Sequence, residues 1–517
     1  MRWIAGLLTC WFAMAQVATE REPGRRQFPV QLPLQRVSAA TPFSSTCSTA
    51  ALSGTVYLNA AVEPWLAVNP SNRRNLIGVW QQDRWSSGGA NGLLTAVSLD
   101  AGLSWTIITV PFSQCSGGKY ERATDPWVSF APDGSVYQIS YSFNQSNAGQ
   151  AMLVSRSGDQ GFSWSQPVTL LADTAAGIED DKESITADPT DAHYAYAVWD
   201  RLTGLGSANS ANFRGPVWFA RTSDGGASWE PARIIYDPGS NAQTIANQIV
   251  VLPDGTLVDG FELIRNAGAP LLRDNLIYPA VIRSTDHGAT WSDAILIAQA
   301  RPVGVSDVKT SVGVRTAAVL PSLAVDAKRG TLYAVWEDAQ FSNLAREGIA
   351  FASSVDGGLT WSAPVQVNQA PNVQAFNPAI AVRGDGTIAI TYFDFRTDST
   401  DPATLLTSFW RITSQDQGNT WNEAGLFPAF NLLTAPLAQG QGYFIGDYTG
   451  LAASGEVFYA FFAATNSGNT ANPTDVFITS EPAAGTDTRG NGHVEVNRLR
   501  IRRREDSTPH PDRKRRR

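Results

Sequence analysis

The sequence predicts an all-β chain built as a propeller, with four antiparallel strands in each blade. Three observations carry that expectation: an octapeptide that recurs six times, a two-strand pattern that recurs seven times, and little helical periodicity anywhere. The octapeptides are SLDAGLSW (Ser98–Trp105), SGDQGFSW (Ser157–Trp164), TSDGGASW (Thr222–Trp229), STDHGATW (Ser284–Trp291), SVDGGLTW (Ser354–Trp361) and SQDQGNTW (Ser414–Trp421). Their aspartates fall at 100, 159, 224, 286, 356 and 416, a spacing of roughly sixty to seventy residues, longer than a WD40 unit.

The two-strand pattern precedes each box. EPWLAVNP…NLIGVWQQDR, DPWVSFAPDGSVYQISYSF, KESITADPTDAHYAYAVWDR, NQIVVLPDGTLVDGFELI, PSLAVDAKRGTLYAVWEDAQ, NPAIAVRGDGTIAITYFDFR and GDYTGLAASGEVFYAFFAATN each hold an apolar strand, a tight turn and a second strand rich in Val, Tyr, Phe and Trp. A third strand runs into the box and a fourth leaves it, as PVWFAR and ARIIYD do around TSDGGASW. Four antiparallel strands repeated around an axis leave only short, protected sheet edges. Seven patterns favour seven blades, or six if an elaborate loop has been counted as one. The last unit has a third strand (DVFITS) but no box and no fourth strand, so an N-terminal strand within Phe28–Pro42 is expected to complete it.

The composition, 517 residues at 43% hydrophobic and 17% charged, is globular and sufficient for a large core. Residues 1–18, with one arginine before a short apolar stretch and then small residues, read as a secretory signal peptide. The propeller is expected over 28–480 and a basic, disordered tail over 481–517. Cys10 leaves with the signal, so Cys47 and Cys115 remain as a disulfide pair in an oxidising compartment, extracellular or periplasmic. Both cysteines fall in equivalent loops beside blade one, where a bond would staple the closure. No other segment is long and apolar enough for a membrane span. Arg498–Arg517 holds ten basic and three acidic residues, which leaves 29 basic against 44 acidic elsewhere. An acidic body does not steer toward nucleic acid. The tail is a candidate contact for an anionic polymer or surface, and a monomer is expected.

Within each box a short carboxylate precedes a glycine by two residues, which suits a turn held by side-chain acceptance of backbone N–H groups. The Trp offers a large face for the neighbouring sheet. The pattern resembles the Asp box of the sialidase superfamily, S-x-D-x-G-x-T-W, at all six sites. That resemblance implies an Asp-box β-propeller in which the boxes are structural turns on the face opposite the active site.

If the boxes mark the bottom, strand one begins and strand two ends at the top. Strand-one starts supply Glu63, Asp125, Asp181, Lys182, Glu183, Asn247, Asn377, Asp447 and Tyr448. Strand-two ends supply Asp83 with Arg84, Asn144, Asp200 with Arg201, Glu262, Glu337, Asp338, and Asp394 with Arg396. The tryptophans Trp65, Trp85 and Trp127 fall near the same face. Only four histidines exist (His193, His287, His493 and His510), which excludes a Ser-His-Asp triad and a histidine zinc site. No cofactor or metal is expected; the run Glu179–Glu183 reads as a solvated acidic loop rather than a calcium site.

Carboxylates, arginines and tyrosine suit glycoside hydrolysis. The resemblance implies more: in sialidases three arginines clamp the substrate carboxylate, a tyrosine assisted by a glutamate is the nucleophile, and an aspartate is the acid/base. Tyr448, in GDYTGL, looks like the tyrosine of the sialidase YS motif, with a neighbouring carboxylate as base. Asp83 or Asp125 would be the acid/base, with Glu183 also counted as catalytic. Arg84, Arg201 and Arg396 would bind an acidic group, with Asp200 and Asp394 beside them. The sialidase F-R-I-P motif is replaced by V-E-P-W (Val62–Trp65), which puts Glu63 or Pro64 where the first arginine belongs. That departure keeps a second reading open, a non-catalytic propeller that binds glycans or proteins.

Overall fold

The computed structural model describes residues 32–44, 46–47, 53–206, 212–266, 275–316, 318, 320–466 and 468–480. The expected leader at 1–18 and tail at 481–517 lie outside the described residues. Most of the described strands fall into seven four-stranded antiparallel sets. Blade one is Val56–Val68, Leu76–Trp85, Ala90–Ser98 and Thr106–Thr109, and blade two is Arg122–Phe130, Val136–Phe143, Gln150–Ser157 and Val168–Asp173. Blade three takes Ile178–Ala187, Ala195–Thr203, Val217–Thr222 and Arg233–Tyr236; blade four takes Ala242–Val251, Leu257–Arg265, Leu276–Ser284 and Ile295–Leu296. Blade five is Ser322–Val325, Leu332–Asp338, Gly348–Ser354 and Val365–Gln366, and blade six is Ala375–Val382, Ile388–Asp394, Leu406–Ser414 and Asn422–Asn431. The last set is Gly450–Ser454, Val457–Thr465 and Thr474–Thr479, completed by the N-terminal strand Gln35–Arg36, whose residues pair with Ile478 and Phe477.

The first strand of each blade lies against the first strand of the next, and Gly450–Ser454 lies against Val56–Val68 to close the circle. The core therefore sits between blades, in separate layers. Ile77 and Val79 of blade one meet Val128 and Val136 of blade two; Tyr196 and Phe219 of blade three meet Ile249 and Leu257 of blade four. At the closing seam Trp80 and Leu94 of blade one pack on Phe461 and Ile478 and on Leu32, which precedes the closing strand. The disulfide Cys47–Cys115, with Cα atoms 5.1 Å apart, packs against this same layer, where the sequence placed it.

The box turns explain why the layers repeat. At Ser284–Trp291, Ser284 Oγ donates to Asp286 Oδ1 (2.8 Å), and Thr290 donates its N–H to Oδ1 (2.9 Å) and its hydroxyl to Oδ2 (2.6 Å). Gly288 N–H donates to Ser284 Oγ (2.8 Å), and the Trp291 indole donates to Gly288 O (3.1 Å). The Ser/Thr-to-Asp bond recurs in all six boxes. Gly288 has φ +83°, and a Cβ there would come within 2.6 Å of Phe219 on the preceding blade. Gly226 stands likewise on Tyr137 and Gly418 on Phe351, and Trp229 and Trp421 meet those same rings edge-on. Each such box grips an aromatic ring of the blade before it. Nothing in it needs to react.

Two outcomes follow for stability. The hydroxyl and N–H of Thr290 hold the Asp286 carboxyl down to about 2. A depressed carboxyl contributes stability that is complete above its ordinary value near about 4 and is lost as the pH falls through about 2. Asp286→Ala should cost about 1–2 kcal/mol in urea unfolding at pH 7, with the gap from the unaltered protein closing as pH falls below about 4. Replacing Cys47 and Cys115 by Ser opens a loop closed across 68 residues and should cost about 4 kcal/mol in the same assay.

Candidate functional site

The inner strands share a feature that periodicity did not reveal. In five blades, strand one carries a β-bulge whose first residue has positive φ: Glu63 (52°), Asp125 (48°), Lys182 (47°), Ala246 (61°) and Asn377 (50°). A bulge inserts an unpaired residue and re-aims its side chain, here at the axis. The result is a buried ionic layer. Lys182 Nζ lies 2.6 Å from Asp125 Oδ1, 2.8 Å from Asp447 Oδ2 and 3.2 Å from Glu63 Oε1. The backbone supports it: Asp447 N–H donates to Glu63 Oε1, and Glu63 N–H to Ile445 O, both at 3.2 Å. Gly446 (φ +137°) is required at that approach, since a Cβ would sit 2.9 Å from Glu63 N and Cα.

A fifth charge arrives from outside the repeat. The chain between blades four and five and the chain between blades six and seven pair into a small extra sheet, Val305–Ser306, Gly313–Val314, Leu437–Ala438 and Gly442–Tyr443. It carries Arg315, which donates Nε to Asp447 Oδ1 (2.8 Å) and a second N–H to Oδ2. Burial works to raise Asp447, but Arg315 and Lys182 outweigh it and hold that carboxyl well below the usual range. Burial likewise opposes the Lys182 charge, and Asp125, Asp447 and Glu63 more than restore it. Glu63, the most desolvated carboxylate of the layer, is pushed up to about 8 by burial against the pull of Lys182.

Two spaces border this layer. On its top side a polar cleft of about 1440 Å³ is lined by Arg84, Arg315, Asp125, Glu179, Asp181 and Tyr141, among others. Arg84 is only 3% exposed, donates to Gln81 Oε1 (2.7 Å), lies over the Phe444 ring, and has no carboxylate within ion-pair distance among the described residues. Arg315 covers the same ring. Burial and the neighbouring Arg315 therefore pull the Arg84 guanidinium down. Asp181 has no hydrogen-bond partner among the described residues; desolvation raises it to about 7, with Asp125 and Glu179 adding to the effect and Lys182 opposing it. On the other side, an apolar chamber with about 50 Å³ of free interior lies along the axis, with Trp65, Trp127 and Tyr448 in its wall.

The expected site residues separate accordingly. Arg84 and Asp125 face the cleft, while Tyr448 and Glu183 line the chamber. Tyr448 donates its hydroxyl to Pro126 O (3.2 Å) and meets Trp65 and Trp127 edge-on; burial, with Glu63 and Asp125 nearby, pushes the phenol well up. Asp83 is taken up by Thr41 Oγ1 (2.8 Å), Asn59 N (2.7 Å) and Asn91 Nδ2 (3.2 Å), which tie the N-terminal segment to blade one. Arg84, Arg201 and Arg396 are not gathered into one clamp. Arg201 is held against Trp218 by Asp180 of its own blade and Asp173 of blade two, and Arg396 is held against Trp410 by Asp394 and Glu423 within blade six. Asp394 also accepts from the Trp410 indole (2.9 Å), whereas Asp200 is fully buried with neither oxygen partnered, and burial beside Asp181 raises it far up. Trp85 instead stacks under the guanidinium of Arg122, outside the cleft. The run Glu179–Glu183 is no solvated loop: it lies in Ile178–Ala187 and buries Asp180, Lys182 and Glu183, with Asp180 paired to Arg201 and Lys182 to carboxylates of other blades. Among the described residues no cluster of three His, Cys, Asp or Glu side chains is arranged to hold a metal.

Against known proteins, no protein-family model and no curated protein matches the chain. Among solved structures it is similar to a Hadza microbial sialidase, at 15% identity and a TM-score of 0.45, over 81% of this chain and 75% of that one. It is similar to an α-L-arabinanase of Penicillium chrysogenum complexed with arabinobiose, at 12% identity and 0.45, over 87% and 99%. A Trypanosoma rangeli sialidase mutant displaying trans-sialidase activity aligns at 12% identity and 0.38, over 73% and 55%. The propeller itself is established by the chain's own strand sets and their closed order. Likeness of this degree leaves the chemistry of the propeller to its own residues.

Those residues make one stability outcome clear. Lys182→Met would leave Glu63, Asp125 and Asp447 facing one another without a cation, and removing one partner of a buried ionic group costs about 3–5 kcal/mol. Denaturant unfolding of that variant should show a loss of this size at pH 7.

Proposed function

We propose that the protein is a secreted glycoside hydrolase whose substrate carries an anionic group, bound in the cleft on the top side of the ionic layer. The observation that carries this reading is the pairing, in one cleft, of a buried guanidinium without a carboxylate partner (Arg84) and an unpartnered carboxyl raised to about 7 (Asp181). A buried cation is costly when left unpaired, and a guanidinium matches a carboxylate in bidentate geometry. Arg84, with Arg315 beside it over Phe444, supplies that anion subsite. A carboxyl that keeps its proton near neutral pH is suited to protonating a glycosidic oxygen as the bond breaks. Asp181 takes that role. Asp125, in the same cleft and held by Lys182, is the second carboxylate at the developing oxocarbenium centre or its attacking water. Tyr448, the nucleophile suggested by the resemblance, lies in the chamber wall and has no carboxylate base on its hydroxyl. The disulfide supports an extracellular or periplasmic setting, and no helix among the described residues is long and apolar enough to cross a membrane.

One observation favours a second reading, a propeller that binds acidic glycans without cleaving them: Asp125 is already committed to Lys182. A panel of aryl glycosides that includes a sialoside, a uronide and neutral sugars separates the two. Hydrolysis of an acidic glycoside should fall by at least about 100-fold in Asp181→Asn, and the limb of kcat/KM that declines as pH rises through about 7 should disappear with it. Arg84→Gln should raise KM for acidic substrates by about 10- to 100-fold and leave neutral ones unaltered. Saturable binding of acidic sugars without turnover of any substrate would establish the second reading instead.

A further inference from the structure

We propose that the axial chamber is a second binding site, taking a small uncharged molecule that combines a flat apolar ring with a carboxamide. The inference stands apart from the reading of the cleft, because the ionic layer of Lys182 and Asp447 lies between the two spaces. The chamber's free interior is about 50 Å³, which limits the occupant to a small molecule.

The residue that follows the first position of each bulge differs between blades. In blades one, two and six that next residue is proline (Pro64, Pro126 and Pro378), which presents no donor. Blades three and four depart from this pattern, with Glu183 and Asn247, and both residues line the chamber. Asn247 is 2% exposed and neither of its amide atoms has a partner; Glu183 is 2% exposed and its Oε2 is unpartnered. Buried polar groups are nearly always hydrogen-bonded, so three orphaned atoms facing one space ask for a ligand that answers them. Glu183 Oε1 already accepts from Tyr141 N–H. Burial and the nearby Asp125 raise its carboxyl, which favours the form whose Oε2 offers an O–H to a carbonyl. Asn247 needs one donor and one acceptor, which a carboxamide presents on one edge.

The remaining wall selects for the ring. Trp65 and Trp127 are stacked with centroids 3.4 Å apart, Tyr448 meets both, and Leu320 and Pro378 face in from other blades. A charged ligand is disfavoured, because the ions at the layer already satisfy each other and a further charge would be desolvated without a partner.

Benzamide is the probe, titrated calorimetrically into the full chain and into Asn247→Leu, with toluene as the ring without the amide. Saturable benzamide binding that weakens at least about 10-fold in Asn247→Leu, while that variant melts no lower than the parent, is the expected result. Toluene should bind more weakly than benzamide to the parent and lose nothing in the variant. Absence of saturable benzamide binding, or binding indifferent to Asn247→Leu, would overturn the proposal and leave water as the partner of these atoms. If Asn247→Leu does not fold, a crystal of the parent soaked in benzamide decides: the amide against Asn247 and Glu183 supports the site, and density only elsewhere overturns it.

Discussion

A lysine side chain with almost no access to water organises the centre of this propeller. Lys182 comes from blade three, and its three carboxylate partners come from blades one, two and the start of the last. A buried ammonium is tolerable only when surrounded in this way, so four positions far apart in the chain must arrive in register. The bulges make the arrangement geometrically available. Without the extra residue at Glu63, Asp125 and Lys182, alternation along a strand would send these side chains into the layers between blades. The same ions form the partition between the polar cleft and the apolar chamber.

The two faces answer to different constraints. On the box face, carboxylates are fully engaged in turns, and their hydrogen bonds hold them low and ionised. Toward the top, carboxyls are crowded and desolvated: Asp181 and Glu63 are raised, and Asp200 and Glu183 more so. Groups pushed apart in this manner mark where acid–base work can be done. Anchoring and reactivity are thus separated along the axis of the ring, with Asp447, held low by Arg315 and Lys182, as an exception away from the boxes.

The fold could be read from the sequence because its signals are local. A box is eight residues whose bonds are made within the box, and a blade is four strands joined by short turns, so both leave a contiguous imprint. The ring position of Glu63, Asp125 and Asp447 was also readable, since strand one and the turn faces fix it. What periodicity could not show was the bulge, which shifts pairing by a residue without changing the apolar pattern. It therefore could not show that Lys182 in a run of acids is the hub, or that the strand begins before Asp181 and buries Asp180. Arg315 gave no signal because its loop belongs to no repeat, and its partner Asp447 lies 132 residues away. The expected arginine clamp failed to assemble for a related reason: Asp200–Arg201 and Asp394–Arg396 look like Asp83–Arg84 in sequence, but only Arg84 lacks a carboxylate within reach.

The closing seam differs from the others in what it requires of time. Blades two to six can seat each box against a blade already made. The box of blade one has no such predecessor: Gly102 stands on Leu32 and near Ile478, residues almost 450 positions apart. A growing chain must therefore carry the face of its first blade uncovered until the last strands emerge. An arc in that state exposes complementary sticky surfaces at its two ends, and two such arcs in proximity could exchange them. The cysteine pair sits at this seam but joins only residues 47 and 115, so oxidation fixes the closing segment on blade one early and leaves the last strands to dock on an edge already in place.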